Sequence, residues 1–130
     1  MRTVKRIALV IDYIESEYAL KIHSGASKYA GEHGMELVVF PIGKIMKNVR
    51  EYSYQSLSIA SHLTDKNIDG IIFVSGSQLS NSTADYMRSY IKSFAPVPVV
   101  SIGSVVKDVP SIICDGRLAF KNIISHLIEK

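Results

Sequence analysis

Residues 6–42 read RIALVIDYIESEYALKIHSGASKYAGEHGMELVVFPI, and this stretch decides the fold. RIALVI is a short apolar run rich in β-branched residues and closed by Asp12, the pattern of a strand buried on both faces. In the segment that follows, Tyr18, Ile22, Ala26, Tyr29 and Ala30 recur at three- and four-residue spacing, and Gly34 stands where a helix C-cap belongs. MELVVFPI is a second apolar strand, stopped by Pro41 and Gly43. Strand, helix and strand with no polar alternation make a parallel unit, which needs helical cover.

The rhythm continues along the chain. KIMKNVREYS is polar and irregular. YQSLSIASHLTDKN places Tyr54, Leu57, Ala60 and Leu63 on one face and predicts a second helix. DGIIFVSG predicts a third strand, STADYMRSYIKSF a helix capped by Ser82 or Thr83, VPVVSIG a fourth strand and PSIIC a fifth. A last helix begins near Arg117 behind a cap at Asp115, with Ile123, Ile124, Leu127 and Ile128 as its apolar stripe. The expected class is α/β: a doubly wound, mainly parallel sheet flanked by helices. One break stands out. Only SVVKD separates the fourth and fifth strands, whereas a parallel pair needs a crossover of about a dozen residues. The fifth strand is therefore expected to pair differently or to leave the sheet.

Composition narrows the function. The chain has 130 residues, is 47% hydrophobic and 21% charged, and suits one globular domain. A net charge of +3 is too weak to argue nucleic-acid binding, and the basic residues of KIMKNVR read as solvated loop charge. The single cysteine, Cys114, allows no internal disulfide and, inside PSIICD, reads as a small buried hydrophobe. The apolar run before Asp12 is too short for a signal sequence, and no stretch approaches a membrane span. A cytoplasmic location is expected.

In open α/β sheets ligands bind at the carboxyl ends of the strands. Those ends carry Asp12-Tyr13, Gly43, Ser75-Gly76-Ser77, Ser101 to Gly103 and Asp115. An acid, hydroxyls, a ring and small residues suit a hydroxyl-rich ligand such as a sugar or nucleoside. Catalytic patterns are missing. Neither G-x-G-x-x-G after the first strand nor G-x-x-x-x-G-K-[ST] occurs, the third strand ends FVSGS without a phosphorylatable acid, and Ser75-Gly76-Ser77 is not G-x-S-x-G. His23, His33, His62 and His126 are far apart and make no metal spacing. No catalytic residue, metal ligand or cofactor is assigned.

Three segments together resemble the sensor domain of the LacI/GalR family: KRIALVIDYIESEYALKIHSGASKYAGEHGMELVVF, NIDGIIFVSG, and VPVVSIGSVVKDVPSIICDGRLAFKNIISHLIEK. Gly25 matches the family's helix glycine, and Tyr18 falls where the family places a ligand-facing aromatic. The wording FVSGS and PVPVVSIG is closer to sensor domains at the N-terminus of bacterial signalling proteins. The resemblance implies a type I periplasmic-binding-protein-like fold, two α/β lobes with the ligand between them. By that map residues 1–113 are the first lobe, and residues 114–130 are the crossover and the first helix of a second. The resemblance also implies pairing into homodimers. Only MRTV precedes the first strand, so the family's helix-turn-helix is not expected here and direct nucleic-acid contact is not assigned to this segment. The expected ligand-facing set is Asp12, Tyr13, Tyr18, Ser75, Ser77 and Asp115. Two other readings stay open: a self-associating module built on the terminal stripe, and a small flavodoxin-like enzyme.

Overall fold

The strand that organises the molecule is β1 (Arg6–Ile11), buried from Ala8 onward. The computed structural model describes residues 3–45, 58–78 and 82–129. In chain order β1 is followed by α1 (Glu17–Glu32), β2 (Glu36–Pro41), a 3-10 turn (Ile59–His62) and β3 (Gly70–Val74). Then come α2 (Ala84–Lys92), β4 (Val99–Ile102), β5 (Ser111–Ile112) and α3 (Gly116–Ile128). The sheet order is β2-β1-β3-β4-β5 and every pairing is parallel. The sheet grows outward from β1 in both directions, so right-handed crossovers place α1 on one face and α2 on the other.

The period-2 alternation of β1 feeds both cores. Leu9 and Ile11 join Val74 beneath Ala19 and Ile22 of α1. Ala8 and Val10 join Ile71 and Phe73 beneath Met87 and Ile91 of α2. Rings brace this second core: Phe73 lies 6.1 Å from Tyr90 and 6.4 Å from Phe94, and Tyr90 meets Phe94 edge-on at 5.2 Å. Burial, with Tyr86 close by, pushes the Tyr90 hydroxyl up to about 12.

The helix signals in the sequence act as written. Ser16 caps α1 by accepting from the Ala19 N–H at 3.1 Å. Gly34, at φ +63°, ends it, and the Met35 N–H reaches back to the Ala30 carbonyl at 2.8 Å. Of the two candidate caps for α2, Thr83 is the one used, accepting from the Tyr86 N–H at 3.2 Å. Asp115 caps α3 by accepting from the Arg117 N–H at 3.1 Å.

Three expectations need correction. First, the fifth strand neither leaves the sheet nor pairs in another direction: β5 lies parallel beside β4, with Ser101 opposite Ser111 and Ile102 opposite Ile112. The crossover rule assumes strands of ordinary length. A two-residue strand at the carboxyl end of its neighbour needs only a short return loop, closed by bonds from the Ser101 N–H to the Pro110 carbonyl (2.8 Å) and the Gly103 N–H to the Ile112 carbonyl (2.9 Å). That loop is tied to α2, where Arg88 hydrogen-bonds Asp108 and Lys92 lies 3.8 Å from it. The Arg88 hydrogen bond is the main reason the Asp108 carboxyl sits below its usual range. Second, the helix expected over 54–67 does not run to its end, because the chain turns at Thr64 to Asn67 after the 3-10 turn. Tyr54, Leu57 and most of KIMKNVREYS lie outside the described residues. Third, Cys114 is exposed, since the last strand ends at Ile112, two residues before it.

Candidate functional site

The carboxyl ends of β1, β2 and β3 converge on one cation. Lys44, just past β2, places its Nζ 2.6 Å from Asp12 Oδ2 and 2.5 Å from the Ser77 carbonyl. Asp12 follows β1 and is buried, while Lys44 is about a quarter exposed. Burial alone raises the Asp12 pKa. The Lys44 hydrogen bond, the Tyr13 N–H, nearby Ser77 and the Lys44 charge together outweigh it and hold the carboxyl below its ordinary value. Ser77 Oγ is close enough to favour the ionised acid, yet it is buried and makes no hydrogen bond of its own.

Beneath this clasp lies a second tie. The buried Gln78 side chain accepts from the Ile45 N–H and donates to the Gly43 carbonyl, both at 2.8 Å. The loops after β2 and β3 therefore move as one unit. Buried polar groups satisfied in this way fix a single geometry, because losing either partner strands the other.

The ends of β3 and β4 are joined by hydroxyls. Ser75 Oγ lies 2.6 Å from Ser101 Oγ and accepts from Ser104 Oγ at 2.6 Å, and Ser101 Oγ donates to the Ser104 carbonyl at 3.0 Å. All three serines are buried. Above them the backbones of Gly76 and Gly103 nearly touch: a Cβ on Gly76 would stand 3.0 Å from the Gly103 Cα. Gly103 adopts φ +93°, and a Cβ there would lie 2.8 Å from the Tyr18 hydroxyl. Tyr18, from the first turn of α1, thus lies across the glycine pair with half its surface open. Its hydroxyl is raised above the ordinary tyrosine value by burial first, then by the neighbouring Cys114 and Asp12.

The six residues expected at the site divide accordingly. Asp12, Tyr18 and Ser77 come together at the mouth, and Tyr13 is exposed beside Asp12. Ser75 does not face it: the side chain is fully buried and its hydroxyl serves Ser101, Ser104 and the Ile102 carbonyl. It supports the mouth from below. Asp115 is exposed, and its carboxylate caps α3. Lys44 and Gln78 were not singled out by the sequence. Lys44 does follow the strand-end rule, directly after Gly43, but in sequence it reads as loop charge. Among the described residues no group of three metal-binding side chains forms. No helix among them is long and apolar enough to cross a membrane.

The clasp carries a pH signature. Asp12→Asn is expected to cost about 1.5–3 kcal/mol at neutral pH, the range for a charged hydrogen bond. Because the folded pKa is lowered, the contribution is complete above the unfolded value of about 3.9 and is lost as pH falls through the folded one. Urea unfolding near neutrality and again near pH 3 should show the gap between parent and variant narrowing on the acid side. A gap independent of pH would mean that Asp12 is not ionised in the fold.

No protein-family model matches the chain, and no curated protein matches it. Solved structures do. The Escherichia coli transcriptional repressor AscG superposes with a TM-score of 0.68 over 97% of this chain, at 17% identity. The chain covers 43% of that repressor's length. A periplasmic solute-binding protein of an ABC transporter from Actinobacillus succinogenes, solved with bound D-allose, aligns over 89% of this chain and 36% of its own, at 18% identity and a TM-score of 0.46.

Proposed function

On the fold of one lobe of the type I periplasmic-binding-protein-like kind, we propose that the chain is the ligand-sensing lobe of a bacterial LacI-like transcription regulator or signalling protein. The observation that carries this reading is the mouth at the carboxyl ends of the strands. Its loops are welded together by Lys44, Gln78 and the serine cluster, and it leaves Tyr13 and Tyr18 open. Rigid loops presenting rings, a carboxylate and a buried hydroxyl suit a small polar ligand such as a sugar or nucleoside. Asp12 and Ser77 pair with hydroxyls, and Tyr13 and Tyr18 stack. Residues 1–113 form this lobe, and residues 114–130, with Asp115 at the hinge, lead toward a second one. Ligand bridging the two lobes closes the cleft and biases an attached output module by population shift. The segment itself touches neither nucleic acid nor membrane, performs no chemistry and works in the cytoplasm.

A lobe that supplies half of a cleft binds weakly, since half of the contacts are absent. Titration calorimetry of this chain with sugars and nucleosides is expected to show affinities weaker than micromolar. Micromolar binding by this chain alone would contradict the two-lobe reading.

A further inference from the structure

The mouth pairs a carboxylate with an ammonium, and neither is used up by the pairing. Lys44 Nζ holds Asp12 Oδ2 at 2.6 Å and the Ser77 carbonyl at 2.5 Å, which takes two of its three hydrogens. The third meets no acceptor among the described residues. An ionised carboxylate accepts about four hydrogen bonds, and Lys44 and the Tyr13 N–H leave room on Asp12 for more. Both side chains keep an edge open to solvent, 26% of Lys44 and 10% of Asp12. Beside them Ser77 Oγ is buried without a hydrogen bond, which is rare for a hydroxyl in a folded protein. The Tyr18 hydroxyl is close enough for the Asp12 charge to act on it, so the ring and the ion pair lie within reach of one small ligand.

We propose that the Asp12–Lys44 pair selects the ligand by charge: the mouth takes an uncharged compound with two adjacent hydroxyls and rejects its acidic and amino counterparts. This rests on the sensing reading and narrows it. An anion that draws Lys44 to itself leaves the buried Asp12 without its partner, and a cation that draws Asp12 does the same to Lys44. Taking one member from a buried pair is more unfavourable than never forming it, because the charge left behind is neither paired nor hydrated. A neutral ligand avoids both penalties if it brings a donor and an acceptor side by side. Adjacent hydroxyls do so: one donates to Asp12 while its neighbour accepts the third Lys44 hydrogen, and the pair stays closed. Lys44, which would bind an acid if it stood alone, is here a hydroxyl donor and a specificity-determining residue. Specificity of this kind comes from the penalty on the wrong ligand as much as from contacts with the right one.

Amide shifts of the labelled chain test this with matched sets at millimolar concentration: D-glucose, D-galactose and D-mannose, each beside its uronate and its 2-amino form. At least one neutral sugar is expected to move Asp12, Lys44 and Ser77, with its uronate and amino counterparts binding at least about tenfold more weakly. In Asp12→Asn the uronate should gain on the neutral sugar by about tenfold, since Lys44 is released, and in Lys44→Met the amino sugar should gain instead. A charged form that moves the mouth as strongly as its neutral parent overturns the proposal and leaves the sensing reading standing. An order of preference unchanged in both folded variants also overturns it, and the comparison on the parent chain decides alone if a variant does not fold. Silence from the three neutral sugars overturns it too, and silence from every sugar and nucleoside overturns the sensing reading with it.

Discussion

Gly103→Val is expected to cost roughly 2–6 kcal/mol, the sum of strain at a left-handed residue and overpacking against a backbone that cannot move aside. Both causes are visible. Gly103 has φ +93°, and any Cβ there meets the Gly76 Cα at 3.0 Å and the Tyr18 hydroxyl at 2.8 Å. The Gly76 contact is backbone, in a loop anchored by the buried Ser75 cluster, so only Tyr18 can give way. The substitution therefore attacks the mouth and the fold together. Gly34 separates the two causes. It also has a positive φ, +63°, but open space lies where its Cβ would go. Gly34→Ala should cost only about 1 kcal/mol, the conformational share. Urea midpoints of Gly34→Ala, Gly103→Ala and Gly103→Val measure this. Equal losses at the two alanine variants would show that the Gly76–Gly103 approach is unimportant.

Phe73→Ala is expected to remove about 3–5 kcal/mol, a large share of the 5–15 kcal/mol that holds an ordinary domain together. Phe73 is wholly buried on β3 and touches the Tyr90 and Phe94 rings. Its neighbour Ile72 points to the other face and lines a groove there with Ala26, Tyr29 and Val100. Ile72 is only half-buried, so less surface returns to water when it is truncated, and Ile72→Ala should fall at or below the low end of the aliphatic range of 2–5 kcal/mol. Guanidinium unfolding of both variants at low protein concentration gives the comparison. An Ile72→Ala loss as large as that of Phe73→Ala would show that the face carrying Ile72 is as fully packed as the ring face.

Much of the layout is legible in the residues. RIALVI carries no polar alternation because both of its faces are covered, which points to a parallel sheet with helices on either side; MELVVFPI shares the pattern, but as the edge strand β2 it is only partly buried. Ser16, Gly34 and Asp115 mark helix ends because capping is local chemistry. What escaped is what depends on distance in the chain. Lys44 reads as loop charge because Asp12, which neutralises it, lies in another element. Ser75 was placed at the mouth by the strand-end rule, which gives a position along the sheet but not a direction. The pleat turns Ser75 inward to Ser101 and Ser104. The β4–β5 pairing escapes the crossover rule because that rule says nothing of a strand two residues long. Cys114 reads as buried because PSIIC is apolar throughout, whereas β5 stops at Ile112.

The central claim is that the ligand enters at the carboxyl ends of the strands. Amide chemical shifts of the labelled chain, followed while neutral sugars and nucleosides are added to millimolar concentration, test it most directly. Weak, fast-exchange shifts confined to Asp12, Tyr13, Tyr18, Lys44, Ser77 and Gly103 are expected, with Gly70, Ile72 and Val100, which line a groove toward the amino ends of the strands, still. Shifts centred on that groove, or none at the mouth for any member of the panel, would contradict it.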